Sequence, residues 1–306
     1  MSFPRAAGGH WLRCFGVAWV VLCSVFFVCE VSAATASAVA LRDDRGREQV
    51  FDGPPQRIVS LLPSLTESIC ALGGCAKLVG TDRYSSWPVS VNALPKLGGL
   101  EDTQIERIVA LRPDVVLTAP SSRVIDKLES LGLRVLVLEP QTHADVQRSL
   151  QLLATMLGTP SAAAPLWAGI ERDVALAAAR VPTAVRGQRV YFEIDSTPYA
   201  AGEGSFIGQT LGRLAMANAV PASLGPFPKL NPEFVVRAQP DVVMATAASL
   251  IEMPGRPGWS GLRALRESRV CGFQPAQYDL LVRPGPRLGE AALALADCLV
   301  AIPAYP

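Results

Sequence analysis

A phrase near the middle of the chain is repeated near its end. Glu106-Arg-Ile-Val-Ala-Leu-Arg-Pro113-Asp114-Val-Val returns as Glu233-Phe-Val-Val-Arg-Ala-Gln-Pro240-Asp241-Val-Val. In each copy a glutamate opens a short helical turn and Pro-Asp stops it at the same offset, because proline has no N–H to extend the ladder. An apolar run follows that suits a buried parallel strand. Upstream of the copies, Arg57-Ile-Val-Ser-Leu and Arg189-Val-Tyr-Phe-Glu supply a further strand-like run that begins with arginine in both cases. The order of elements therefore repeats along with the phrase, which restricts the fold to two similar α/β lobes. Two facing lobes leave a cleft between them.

The pattern assigns residues 57–142 to the first lobe, with apolar runs at Ile58–Leu62, Val115–Thr118 and Val135–Leu138. These alternate with helical segments at Leu65–Leu72, Gln104–Leu111 and Val124–Leu131, each closed by a glycine or a proline. Such alternation predicts a parallel sheet covered by helices, a Rossmann-like layering. Residues 143–181 show helical pattern only, broken at Gly158-Thr-Pro160. The second piece, Ser161–Val181, would be roughly 30 Å long as a helix and can act as a single stiff strut between lobes. Pro165 fits it only within the first turn. Residues 182–306 form the second lobe, with strand-like runs at Val190–Ile194, Val242–Ala245 and Val270–Phe273. Its helical segments are Phe206–Ala217, Glu233–Ala238 and Arg287–Val300.

Residues 1–33 carry Arg5 and Arg13, an apolar stretch from Cys14 to Cys29, and small residues at Val31-Ser32-Ala33. This reads as a cleaved signal peptide, with a membrane anchor as the alternative. Neither Cys23 nor Cys29 has the context of a lipid-modified cysteine, so a soluble periplasmic product is expected. Residues 34–56 read as a leader containing at most one strand. Removing residues 1–33 takes away Arg5, Arg13 and Glu30, so the 28 basic and 27 acidic residues become 26 of each. A neutral chain argues against nucleic acid or an anionic membrane as partner, since both require clustered Lys and Arg.

Four of the seven cysteines, Cys70, Cys75, Cys271 and Cys298, remain after cleavage. They allow three pairings, which the sequence does not resolve. Cys70 and Cys75 flank Gly73-Gly74, where the chain can fold back into a local bridge, and Cys271 and Cys298 would then pair by elimination. No C-x-x-C spacing points to zinc, and no metal site or cofactor is expected.

Catalysis finds little support. His143 is the sole histidine after residue 33, and no G-x-S-x-G elbow accompanies it. Gly202-Glu-Gly204-Ser-Phe-Ile-Gly208 follows a strand and opens a helix, as a dinucleotide loop would. Its third glycine comes one residue late and its strand ends too early, so we read it as a loop lining the cleft, with a nucleotide-dependent enzyme as the rival. Ser64-Leu-Thr-Glu67 and Thr103-Gln-Ile-Glu106 fit the capping box, and Asn231-Pro232-Glu233 is a third helix start. Glu106 and Glu233 suit positive helix ends. One exposed anion at the same place in each lobe is also what a two-fold symmetric basic partner would grip.

At this point the residues resemble a known family. Arg57-Ile-Val-Ser-Leu-Leu-Pro63-Ser64-Leu-Thr66-Glu67, Leu78-Val-Gly-Thr-Asp82-Arg83-Tyr84-Ser85-Ser-Trp87-Pro88, Leu97-Gly-Gly and Ile105-Glu106-Arg-Ile-Val-Ala-Leu-Arg-Pro-Asp are similar to motifs of the cobalamin-binding periplasmic proteins. These are class III substrate-binding proteins of ABC importers, a class that also serves haem and siderophores. The resemblance implies two α/β lobes joined by one rigid helix, a ligand between them, no enzymatic activity, and docking onto a dimeric permease by a receptor that is monomeric when free. By the same resemblance Glu106 and Glu233 match the docking glutamates, which pair with permease arginines. Tyr84 matches a tyrosine that contacts the corrin, Phe227 stands where a tryptophan is found, and Asp279 and Arg283 match polar cleft residues. Ser64 and Tyr199 are further candidates for the cleft. Leu100 and Pro120 replace tryptophans of the first lobe, which removes two aromatic walls. For Tyr84, Tyr199, Phe227 and Trp87 the alternative is core packing, and for Arg283 it is a loop-stabilising role. Cobalamin or a related corrinoid is the expected ligand. Haem, with an axial tyrosine such as Tyr84, or a ferric siderophore is the alternative.

Overall fold

The computed structural model describes residues 38–303, so the signal segment and the Ala33 site lie outside the described residues. The first described element is an antiparallel hairpin of β1 (Val39–Arg42) and β2 (Glu48–Phe51). The expected leader is thus part of the first lobe. Its turn is held by Asp43, whose Oδ1 accepts from the N–H groups of Arg45 and Arg47 at 3.0 and 2.9 Å. Its apolar residues Leu41 and Phe51 join the core.

The first lobe runs β3 (Ile58–Ser60), α1 (Pro63–Ala71), β4 (Leu78–Thr81), α2 (Ile105–Ala110), β5 (Val115–Thr118), α3 (Ile125–Ser130) and β6 (Val135–Val137). Its sheet is parallel in the order β4-β3-β5-β6. Strand β4 carries a glycine and was not expected as a strand; Gly80 lies so close to Leu97 and Leu111 that a Cβ would come within 2.8 Å of each. Then come α4 (His143–Met156) and α5 (Ala163–Arg180), the break falling at Pro160 as the sequence suggested. Helix α5 has 18 residues, roughly 27 Å of rise, and holds Pro165 in its first turn.

The second lobe runs β7 (Arg189–Asp195), β8 (Tyr199–Ala200), α6 (Phe206–Arg213), β9 (Ala217–Asn218), α7 (Pro232–Ala238), β10 (Val242–Thr246), α8 (Ala247–Glu252), α9 (Arg263–Arg266), β11 (Val270–Phe273), α10 (Pro275–Leu281) and α11 (Leu288–Ala301). Helix α6 ends earlier than its apolar pattern because Ala215 turns to φ 59. Four of these strands are parallel in the order β9-β7-β10-β11, and β8 adds antiparallel to the far end of β7. In both lobes the second parallel strand therefore sits at an edge beside the first. The repeated phrase produces the same local device twice. Asp114 Oδ2 accepts from the N–H of Arg57 at 2.8 Å, and Asp241 Oδ2 accepts from the N–H of Arg189 at 2.8 Å. Each arginine also donates to the end of the helix that leads into the Pro-Asp, Arg57 to Leu111 O and Arg189 to Gln239 O. Pro-Asp thus sets the register of two neighbouring strands.

Strand alternation sorts the core. Ile58, Val115, Leu117 and Leu136 point to one side, and Val59, Val116, Val135 and Val137 to the other with Ile108 and Leu128. In the second lobe Val190, Phe192, Val242 and Met244 share the first cluster, whereas Tyr191, Val243 and Ala245 pack with Val235 and Trp259. The first cluster passes through Val146, Leu150 and Leu153 of α4 and Ile170, Val174 and Ala177 of α5. One apolar core therefore continues from lobe to lobe, with a separate outer layer on each.

Cys70 bonds to Cys75 across the glycine turn, and Cys271 to Cys298, the pair left by elimination. The second joins β11 to α11.

Candidate functional site

The carboxyl ends of all four strands of the first sheet open on one cavity. Leu62, Pro63 and Ser64 follow β3, Tyr84 follows β4, Ala119 and Ser121 follow β5, and Glu139, Pro140 and Gln141 follow β6. That is where open α/β sheets hold ligands. The second lobe contributes Ile194 from the end of β7, Phe206 and Ile207 from α6, Phe227, and Asp279, Val282, Arg283 and Pro284 from α10 and beyond. The cavity measures about 450 Å³, within the range of small-molecule sites. A smaller one of about 140 Å³ adjoins it, shares Leu62, Pro63, Tyr84, Ala119 and Ser121, and is lined by Leu100.

Tyr84 stands between the two cavities with 60% of its surface exposed. Its loop is tied down by hydrogen bonds to buried and half-buried charged groups. Asp82, buried beneath it, accepts from the Tyr84 N–H at 2.8 Å and from the Ser85 hydroxyl. Lys96 Nζ donates to Thr81 Oγ1, Ser85 O and Val91 O at 3.0, 2.6 and 3.2 Å. Burial raises the Asp82 carboxyl and lowers the Lys96 ammonium from their ordinary ranges. Phe227 is half-buried against Phe206, ring centres 5.8 Å apart, on a segment whose Pro226 and Pro228 carbonyls accept from Gly202 and Ala200.

Arg283 lines the cleft, where the resemblance implied a polar residue, but it is not a free group there. It is 8% exposed, and its guanidinium is already engaged. Nη1 donates to Glu67 Oε1 at 2.9 Å, and Nη2 donates to Asp279 Oδ2 at 2.6 Å and to the Tyr84 carbonyl at 3.0 Å. Glu67 is 1% exposed and belongs to α1, so the pair ties the lobes together. Burial pushes the Glu67 carboxyl up, and the hydrogen bond and charge of Arg283, with the charge of Arg287, only partly offset it. Trp87 joins the same seam, with the Arg287 guanidinium 4.7 Å from its ring centre.

Two expected capping boxes are absent, for this reason and another. Helix α1 starts at Pro63, so Ser64 lies inside it and Glu67 reaches Arg283 instead of the cap. Helix α2 is preceded by Gln104, while Thr103 donates to Gly99 O at 2.6 Å. Asn231 does cap α7, its Oδ1 accepting from Glu233 N at 2.9 Å. Glu106 and Glu233 are both exposed, each at the second residue of its helix. The buried residues of those helices, Ile108 and Val235, sit in the outer layers, away from the cavity.

Tyr199 does not line the cavity; it lies 41% exposed, 6.0 Å from Lys229. Pro120 is exposed and lines neither cavity. The Gly202 loop offers no phosphate cradle. A Cβ on Gly208 would stand 2.1 Å from the Gly202 carbonyl oxygen. The N–H groups of Gly202, Glu203, Phe206 and Gly208 already donate to Pro226 O, Val220 O, Gln141 O and Ser205 Oγ. Only Phe206 and Ile207 from its helix reach the cavity. His143 is buried, its Nε2 2.8 Å from Thr210 Oγ1, and burial lowers its pKa.

The sequence profile of a family described as periplasmic binding protein matches residues 58–276. The chain belongs to that family. This binding protein is 28% identical over 274 residues to an uncharacterised ABC transporter substrate-binding lipoprotein of Bacillus subtilis, covering 85% of each chain. It is 23% identical to a vitamin B12-binding protein of Vibrio parahaemolyticus, over 80% of this chain and 89% of that one. Among solved structures it is similar to a periplasmic heme binding protein from Pseudomonas aeruginosa, at 26% identity and TM-score 0.69, with 82% of this chain and 95% of the other covered. The binding protein carries a small-molecule cargo and is not an enzyme. The lining residues that the sequence did not suggest, among them Pro63, Ser121, Glu139, Gln141 and Ile207, mostly follow strand ends. The strand-end rule applied to Thr118 and Val137 would have pointed to Ser121, Glu139 and Gln141.

Proposed function

We propose that this binding protein captures cobalamin or a related corrinoid in the periplasm and delivers it to the permease of an ABC importer. The observation that carries the choice of ligand is the charge of the cavity. Its walls are mainly apolar; among the described residues its carboxylates are Glu139 and Asp279, and its one lining cation, Arg283, is already paired with Glu67 and Asp279. A corrinoid presents a flat apolar macrocycle with an uncharged carboxamide rim, which suits apolar walls and carboxylate acceptors. The vitamin B12-binding relative supports this reading along most of the chain. Haem presents two propionates, for which the described lining offers no cation outside an ion pair. The exposure of Tyr84 in the cleft, with the haem-binding neighbour, favours haem ligated by that tyrosine as the second reading.

Export follows from the signal-like residues 1–33, with cleavage after Ala33. On docking, Glu106 and Glu233 would each meet an arginine of one half of a dimeric permease, since both are exposed and equivalently placed. Titration of the purified protein with cyanocobalamin and with haem, followed by absorbance and calorimetry, tests the ligand. Saturable cobalamin binding without a haem complex is expected. Tight haem binding with no corrinoid binding reverses the order.

A further inference from the structure

Besides the pair at Arg283, a second set of bonds joins the two walls of the cavity. Gln141, in the last loop of the first lobe, and Phe206, at the start of α6 in the second, both line it, and Phe206 N donates to Gln141 O at 2.6 Å. Two residues further on, His143 opens α4. Its N–H donates to Gln209 Oε1 at 2.8 Å, and its ring Nε2 lies 2.8 Å from Thr210 Oγ1. Phe206, Gln209 and Thr210 are spaced to share one face of α6, so three contacts in a row tie the entry of α4 to that face.

The bonds fix the protonation state of the ring. The Thr210 hydroxyl donates to Phe206 O at 2.8 Å, so its oxygen accepts from the imidazole, and the neutral ring carries its hydrogen on Nε2. An added proton goes to Nδ1, and the surroundings oppose it. The ring is buried, edge-on to Trp167 of α5 with centres 6.4 Å apart, in the first turn of α4, where the helix end is partly positive. Arg213 of α6 adds a cation and Glu171 of α5 an anion, and these two are already paired with each other at 2.7 and 2.8 Å. On α4 itself the first-turn carboxylate, Asp145, is engaged by Gln141 and Thr142. Burial and the charge of Arg213 hold the His143 pKa below its ordinary value, and the Phe206 carbonyl and Glu171 only partly offset them.

We propose that His143 is a pH-sensitive latch: the neutral ring closes the seam between the Gln141 loop and α6, and protonation in acid loosens that seam and with it the hold on the cargo. A buried imidazolium beside Arg213 is relieved by moving the ring toward water, which gives up the bonds to Thr210 and Gln209. Gln141 and Phe206 then lose the support that fixes their places in the wall. The inference rests on the cavity as the cargo site and not on the identity of the cargo. An unfolded chain protonates this histidine near 6.5, the folded protein only at lower pH. Between those points the unfolded state binds more protons, so stability falls as pH drops, the folding constant changing by up to about tenfold per pH unit.

The test uses the mature, untagged protein and H143Q, whose amide can donate to Thr210 at every pH and does not titrate. Urea midpoints, the imidazole C–H resonance by NMR, and calorimetric titration with cyanocobalamin, or with haem if haem alone binds, are recorded from about pH 7.5 to about 5. His143 is the sole histidine after residue 33, so its resonance needs no variant to assign it. His143 should titrate below 6.5, and the parent should lose stability relative to H143Q as pH falls. Cargo affinity of the parent should weaken about threefold or more across the range, while that of H143Q stays nearly constant. By reciprocity, loading should lower the His143 midpoint, by about half a pH unit for a threefold effect. A midpoint at or above 6.5, or parallel stability curves, overturns the latch. Affinities that change alike in both proteins, or a midpoint that loading does not move, overturn its coupling to cargo. The midpoint and its response to loading decide the matter if H143Q folds poorly. A parent that binds neither probe overturns the proposed function, and the stability curves and the resonance still decide for or against the seam.

Discussion

Replacing Arg283 by methionine tests whether the seam between the lobes is held electrostatically. Arg283 Nη1 is 2.9 Å from Glu67 Oε1, and the nearest substitute, Arg287 Nη1, is 4.0 Å from the same oxygen. Methionine retains most of the buried stem, so the main effect is a carboxylate left buried without its partner. Such losses cost about 3–5 kcal/mol. Because Glu67 can take up a proton, its carboxyl being raised by burial already, the lower end, about 3 kcal/mol, is expected. Urea unfolding at pH 7 reads this as a fall in midpoint, and a domain of this size should melt about 6–12 °C lower. The double variant Glu67→Leu, Arg283→Met should recover most of the loss, since it leaves no buried charge. The pH dependence has a definite sign. The folded state holds the Glu67 proton above the ordinary value of 4.5, whereas the unfolded chain releases it near that value. Between those two points the folded state binds more protons, so stability falls as pH rises through the window. Relative to E67Q, the parent should therefore lose stability as pH climbs above about 4.5. An R283M variant within about 1 kcal/mol of the parent, a double variant no better than the single one, or parallel pH curves for parent and E67Q would refute the reasoning.

Alanine at both Glu106 and Glu233 should leave ligand affinity and the folded state nearly unchanged while uptake through the reconstituted permease falls. Equal loss of affinity and uptake would show that these carboxylates serve the fold instead. Small-angle scattering of free and liganded protein should give nearly superimposable profiles, because a wide hinge motion would have to bend α5 or open the shared core. A large change in radius of gyration would exclude a stiff connection.

The fold was legible because its signals were local and were repeated. Pro-Asp after a short helix, an apolar run, and arginine before the preceding strand each act within a few residues, and the structure turns them into the same clamp at Asp114 and Asp241. What stayed hidden depended on distant partners. Strand β4 is short and contains Gly80, and it is recognised only from its pairing with β3. The hairpin at Val39–Phe51 gains its core from α4, about a hundred residues later. The capping pattern at Ser64 and Glu67 misleads because Glu67 has a partner 216 residues away, which outcompetes a local N–H. For the candidate site the polar cluster of Tyr84, Asp279 and Arg283 was visible as motifs, but the sequence could not say that Arg283 is occupied or that Tyr199 sits away from the cavity.

The occupied arginine also bears on how a cargo acts on the whole molecule. Asp279 lines the cavity and, through Arg283, is bound to Glu67 in the other lobe and to the carbonyl of Tyr84. A cargo that donates N–H to Asp279 draws on a carboxylate that also orients Arg283, so loading and the tie between lobes share one hydrogen-bonded chain. Such a chain adjusts within hydrogen-bond distances, while α5 and the continuous core oppose larger displacement. A permease would then recognise the loaded protein through a slight resetting of two nearly fixed lobes, which keeps Glu106 and Glu233 at an almost constant separation whether or not the cavity is filled. On the proposed function, selection of cargo would then belong to the preformed cavity, and docking to the outer helices.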